Sequence, residues 1–145
     1  AEDGIRDLVR SRGLGDVYKR QIENVEKSLE IALKKYNCSI KDFTVAPLFM
    51  KNGKKGKHEW MIEFVNEPSN INEFMREIDL QIQNNNSDYK AKRFKNITLD
   101  KPSIIKARKN LFYDWLKKKK KLGGQNKIPR LLNDRSFISE LIKMN

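Results

Sequence analysis

The chain predicts an α+β fold, a small sheet of about three strands covered by helices. Three observations carry this expectation. The apolar period switches repeatedly between about 3.6 and 2 along the chain, clusters of turn formers fall at the switches, and no internal repeat points to another architecture. Ile22, Val25, Leu29, Ala32, Leu33 and Tyr36 lie on one helical stripe that ends near Asn37. The period then shortens through Phe43 and Val45 to Pro47, and the turn formers Asn52-Gly53-Lys54-Lys55-Gly56 follow. Beyond them Trp60, Ile62 and Phe64 alternate with Glu59, Met61 and Glu63, the pattern of a half-buried strand, and the two strands are expected to form a hairpin. After Pro68-Ser69, the spacing of Ile71, Phe74, Met75, Ile78 and Ile82 predicts a second helix running toward Asn84-Asn85-Asn86. A short strand over residues 103–107 follows Pro102, and a helix carries Leu111, Phe112, Trp115 and Leu116 until Gly123-Gly124 stops it. A last helix is expected over residues 134–143. In this reading helices cover one face of the sheet, and Trp60, Phe64, Phe74, Phe112 and Trp115 are core residues.

Residues 1–21 stand apart. The stretch Ser11-Arg12-Gly13-Leu14-Gly15-Asp16-Val17-Tyr18-Lys19-Arg20-Gln21 resembles the translation of a transposase mosaic-end sequencing adapter, whose end GAT GTG TAT AAG AGA CAG reads Asp-Val-Tyr-Lys-Arg-Gln. Ala1-Glu2-Asp3-Gly4-Ile5-Arg6-Asp7 resembles the translation of a flow-cell adapter, with Leu8-Val9-Arg10 as a sample index between the two. A targeting peptide fits poorly, because no apolar core is present and acids are mixed in. The expectation is therefore an adapter-derived stretch at 1–21, and one domain at 22–145 that is a carboxy-terminal fragment of a longer protein.

The formal net charge is +12, and it stays strongly positive without residues 1–21, which hold nearly equal numbers of bases and acids. Such a balance implies an anionic partner without choosing among nucleic acid, nucleotide or acidic surface. The five lysines at 117–121 form the densest run and fit the solvated end of a helix. Cys38 is the single cysteine, so no internal disulfide or cysteine zinc cluster can form, which suits a cytoplasmic protein. No long apolar run predicts a membrane span, and neither a Ser-His-Asp pattern, metal-ligand spacing nor a Walker-type loop is present.

The chemistry-bearing segment is Gly123-Gly124-Gln125-Asn126-Lys127-Ile128-Pro129-Arg130-Leu131. Gly123 and Gly124 permit close approach, Pro129 restricts the chain, and Lys127 can present its ammonium to a phosphate or carboxylate. Gln125 can bond a phosphate, while Arg130 either clamps an oxyanion through its planar fork or tethers the loop. Tyr89, Lys92 and Arg93 form a second cluster, for ligand contact or for packing between domains. His58, the lone histidine, sits at a strand edge with no ligand or catalytic pattern nearby.

Four segments in order and at the right approximate spacing carry a family resemblance. These are Lys57-His58-Glu59-Trp60-Met61-Ile62-Glu63-Phe64, Asn86-Ser87-Asp88-Tyr89-Lys90-Ala91-Lys92-Arg93, Phe112-Tyr113-Asp114-Trp115, and residues 123–133. Together they resemble the carboxy-terminal domain of the acyl-acid amido synthetases, the auxin-responsive Gretchen Hagen family within the firefly-luciferase-like adenylating enzymes. The resemblance covers essentially all of residues 22–145. It implies a missing amino-terminal domain in cis that holds most of the ATP and Mg²⁺ contacts together with the carboxylic acid and amino acid substrates. It also implies that residues 22–145 are a lid swinging between two poses, with Lys127 as the adenylation lysine. The isolated fragment is then expected to be inactive. The alternative from another class is a small basic nucleic-acid-binding module using the lysine run with Tyr89 or Phe94.

Overall fold

The first strand pair builds the molecule from its middle. In the computed structural model, which describes residues 2–48, 55–96, 99–119 and 128–145, β1 (Ser39–Leu48) pairs antiparallel with β2 (Lys57–Asn66), Val45 opposite Trp60 and Phe43 opposite Ile62. A third strand, β3 (Ser103–Lys106), lies parallel to β2 with Ile104 beside Trp60, so the sheet order is β1-β2-β3. Because β2 is central, both of its backbone edges are hydrogen-bonded within the sheet.

Helix α1 (Glu2–Lys35) carries the stripe beginning at Ile22, and the helical backbone extends upstream of that residue. Lys19, Arg20 and Gln21 are exposed, and Ile22 is the first α1 side chain of the described residues to pack on the core. Helix α2 (Ile71–Asn85) starts where Asn70 folds its side-chain oxygen onto the amides of Asn72 and Glu73, at 3.0 and 3.1 Å, which satisfies two orphan donors. Asn86 ends α2 and caps α3 (Ser87–Arg93) through the Tyr89 amide at 3.1 Å. A short 3₁₀ turn (Phe94–Asn96) follows, with Lys95 at φ 51°. Helices α4 (Leu111–Lys118) and α5 (Ser136–Met144) complete the fold.

Helices cover both faces of the sheet, not one. Val25, Leu29, Phe43, Trp60, Ile62, Phe74 and Ile78 form the core under α1 and α2, while Ala46, Met61, Leu111, Phe112, Trp115, Ile138 and Leu141 form a second core under α4 and α5. The alternation Glu59-Met61-Glu63, which looks solvent-facing in sequence, belongs to that second core. Met61 is fully buried, and Glu63 is 2% exposed. Each acid binds the start of a helix. Glu63 Oε2 accepts the Asn110 amide at 3.1 Å, where Asn110 stands at φ 67° to launch α4. Glu59 Oε1 accepts from Arg135 Nη2 at 2.6 Å immediately before α5. Carboxylates acting as acceptors for a helix entry and a guanidinium are how an acid becomes tolerable on a buried face.

Candidate functional site

Gly123, Gly124, Gln125 and Lys127 lie outside the described residues. Both approaches to that segment are described, and both are fixed. On the upstream side Lys119 Nζ meets Glu140 Oε1 of α5 at 2.5 Å, and Trp115 Nε1 donates to Glu140 Oε2 at 3.3 Å. These bonds hold the Glu140 carboxyl below the usual carboxylate range, with the Lys119 hydrogen bond the larger cause.

On the downstream side the chain crosses the outer edge of β1. Ile128 is buried in the second core, and Leu131 in the first. Between them the Pro129 carbonyl accepts the Thr44 hydroxyl at 2.7 Å, and the Arg130 carbonyl accepts the Val45 amide at 3.0 Å. The Leu132 amide then donates to the Val45 carbonyl at 2.9 Å, giving a parallel one-rung bridge of Leu131 to Val45. Thr44 faces the α4–α5 side with its hydroxyl committed, which explains a fully buried threonine in a strand.

Arg130, left open in sequence between a phosphate clamp and a tether, is tied to the domain. Its Nη1 pairs with the Asp42 carboxylate, and its Cζ stands 4.8 Å from the centroid of the Phe43 ring. Glu26 of α1 approaches Arg130 Nε at 3.9 Å. The ion pair and the cation–π contact both hold the guanidinium against β1.

Tyr89, Lys92 and Arg93 separate into different roles. The Tyr89 hydroxyl donates to Asp79 Oδ1 at 2.5 Å, and Arg93 grips the same carboxylate with Nε at 2.9 Å and Nη2 at 2.7 Å. Arg93 Nη1 also donates to the Leu99 carbonyl at 3.1 Å, so this cluster locks α3 to α2 and to the approach to β3. Burial, then the hydrogen bond to Asp79, pushes the Tyr89 phenol well above its usual range. Lys92 is exposed and pairs with Asp88 at 3.1 Å.

Tyr89 and Lys92 share a cleft of about 290 Å³ with residues 131–133, just downstream of the glycine-lysine segment, whereas Arg93 faces another cleft. Sequence reasoning passed over two of its lining residues. His58 stacks on Tyr89 with ring centroids 5.8 Å apart, and burial is the main reason its imidazole titrates below the usual value, with the Lys92 charge adding to it. Trp60 stacks on Phe43 at 5.7 Å, and its indole N–H is buried with no hydrogen-bond partner. Neither residue carries a sequence signal beyond strand alternation, because the stacking partners come from α3 and β1. Among the described residues no group of three or more His, Cys, Asp or Glu side chains is arranged to hold a metal ion, and no helix is long and apolar enough to cross a membrane.

The family model for the GH3 family C-terminal domain matches residues 23–136. Among solved structures, the chain is similar to AtGH3.15 acyl acid amido synthetase in complex with 2,4-DB, with a TM-score of 0.62 at 15% identity over 86% of this chain and 22% of that one. It is also similar to a structure of GH3.15 acyl acid amido synthetase, with a TM-score of 0.62 at 17% identity over 86% of this chain and 23% of that one. At these identities the likeness is one of fold, and the chain spans less than a quarter of either protein. No curated protein matches.

Proposed function

The chain belongs to the GH3 family, as its C-terminal domain, and from that premise we propose that it is the mobile lid of an ATP-dependent ligase that joins a carboxylic acid to an amino acid. Residues 22–145 supply the lid, residues 1–21 are adapter-derived, and the domain holding ATP, Mg²⁺ and both substrates lies in the rest of the parent protein. The observation that carries this reading, beside the family match, is that the described residues on either side of the 120–127 segment are both held to the domain. Glu140 fixes its upstream approach, and Ile128, Thr44 and Val45 fix its downstream one.

Anchoring of this kind suits a lysine delivered by movement of the whole domain. When a carboxylate attacks the α-phosphate of ATP, negative charge meets negative charge, and an ammonium presented only in the closed pose stabilises the charge that develops as pyrophosphate leaves. Lys127 fills that role in this reading. Gln125 contacts phosphate, and Gly123 and Gly124 keep side chains out of the way. Arg130 serves as the tether on the downstream side of the segment, through Asp42 and Phe43. Mg²⁺, held by the parent's other domain, would neutralise phosphate charge.

The test is Lys127→Ala in a protein that joins this chain to its amino-terminal domain. ATP–pyrophosphate exchange driven by the acid substrate should fall by roughly 10²–10³-fold, the usual cost of losing one preorganised charge-stabilising donor. Amide formation from preformed acyl-adenylate and the circular dichroism spectrum should change little. An unchanged exchange rate overturns the assignment. The nucleic-acid alternative loses one of its two aromatics, since Tyr89 is buried, stacked on His58 and bonded to Asp79.

A further inference from the structure

The cleft of about 290 Å³ beside Tyr89 carries groups that the lid reading leaves unused. His58 and Trp60 stand two residues apart on β2, opposite Pro47 and Val45 of β1, so strand alternation sends all four side chains to the face under α1 and α2, where the cleft lies. Trp60 borders this cleft and not the one that Arg93 faces. Its indole N–H is buried with no hydrogen-bond partner, the only such orphan in this lining among the described residues, and an orphan of this kind calls for an explanation. An indole nitrogen donates and does not accept, so the missing partner is an acceptor. His58 offers one donor and one acceptor, because burial, and then the Lys92 charge, favour its uncharged imidazole. The lining is also balanced in charge. Its one lysine and one carboxylate among the described residues, Lys92 and Asp88, pair with each other at 3.1 Å on α3.

We propose that this cleft binds an uncharged, single-ring aromatic molecule carrying a hydrogen-bond acceptor, with the Trp60 indole as donor and the His58–Tyr89 pair as an aromatic wall. An anionic ligand would meet a lysine already neutralised by Asp88, and a cationic one would meet an aspartate already neutralised by Lys92, so neither gains a full charge partner here. The rings of His58 and Tyr89 lie nearly parallel, at 10°, and Trp60 follows on the same face, a surface against which another ring packs edge-on or offset. Val25, Ile82 and Leu131 supply the apolar remainder of the walls. The volume lies near the lower end of the range for small-ligand sites, which suits one ring with a short substituent. An acceptor that reaches the Trp60 N–H relieves the cost of a buried donor left unpaired, and that relief goes only to a ligand that has one. Occupancy draws on no residue of 120–127, so failure of this proposal and failure of the Lys127 assignment are separate outcomes.

The experiment is a ¹H–¹⁵N correlation titration of the 145-residue chain with nicotinamide, and in parallel with nicotinate and with cyclohexanecarboxamide, at pH about 7.5, above the ordinary histidine value. The chain has two tryptophans, and the Trp115 N–H is already bonded to Glu140, so one indole cross-peak reports on the cleft and the other serves as an internal reference. Nicotinamide should move the Trp60 indole peak saturably, together with the backbone amides of Leu132 and Asn133, while the Trp115 indole peak stays in place. Nicotinate, which adds a charge, and cyclohexanecarboxamide, which lacks the aromatic ring, should each bind about tenfold more weakly. Trp60→Phe keeps a ring against Phe43 and removes the donor. It identifies the Trp60 peak by its loss and should weaken nicotinamide binding about tenfold, read at the Leu132 and Asn133 amides. Loss of the fold in that variant leaves the wild-type indole shift as the deciding reading. Shifts that never saturate, a Trp60 indole peak that does not move, or nicotinamide binding undiminished in a folded Trp60→Phe variant overturn the proposal. Equal binding of nicotinate or of cyclohexanecarboxamide overturns the uncharged aromatic class.

Discussion

His58 shows what a single residue gains from its surroundings. In sequence it is a histidine at a strand edge; in the fold it stacks on Tyr89 beside Lys92, and burial, followed by the Lys92 charge, holds its imidazole below the usual value against a smaller opposing effect of Asp79. The unfolded chain therefore takes up a proton at higher pH than the folded one. The stability that depends on this difference is fully present above the unfolded value of about 6.5 and is lost as pH falls from there through the folded value. His58→Gln should flatten that part of the urea midpoint against pH, as pH falls below about 6.5, while wild type declines across it; equal slopes would show that His58 does not titrate differently on folding. Glu77 and Glu140, both held low by hydrogen bonds, lose their contribution only at more acidic pH, below the ordinary carboxylate value. Arg130 was legible as a loop arginine that either clamps an oxyanion or tethers the loop, but the choice and its partners were not, because Asp42, Phe43 and Glu26 lie far from it in the chain.

Among the elements β2 is the most informative. Periodicity located it and its partner, and one face of it was read correctly from Trp60, Ile62 and Phe64. The other face was not, because Glu59 and Glu63 flank Met61 and a glutamate in a strand ordinarily marks solvent. Here Arg135 binds the Glu59 carboxylate, the Asn110 amide and Lys41 approach one oxygen of Glu63, and α4 and α5 close over the methionine between them. Met61→Ala should consequently cost about 2–5 kcal/mol, the range for truncating a buried side chain. Val65→Ala, on an exposed position of the same strand, should cost within about 0.5 kcal/mol. Urea denaturation of both variants checks this, and equal effects would mean the second face is not a packed core. The α3 helix was also missed as an element, since seven residues with one buried aromatic leave too short a stripe to read; its cap, Asn86, was seen only as the end of α2.

For the whole molecule, the start of the family match and the first core contact among the described α1 side chains fall one residue apart. The family match begins at residue 23, and packing of the described α1 side chains begins at Ile22. Removing residues 1–18 should leave the unfolding free energy unchanged to within about 0.5 kcal/mol, as for changes remote from a core. A loss above about 1 kcal/mol in the same denaturation assay would show that the upstream half of α1 contributes packing of its own. The sequence by itself determined the α+β class, the positions of the hairpin and of the helices built on long stripes, the basic surface, and the family, because periodicity, charge and segment order are properties of the chain read in one dimension. Tertiary structure alone decided that helices close both faces of β2, that Arg130 belongs to β1, and that Tyr89 and Arg93 share Asp79. Each of those depends on groups distant in sequence meeting at a few ångströms, and the free energy of a buried carboxylate or guanidinium is fixed by which partner arrives there.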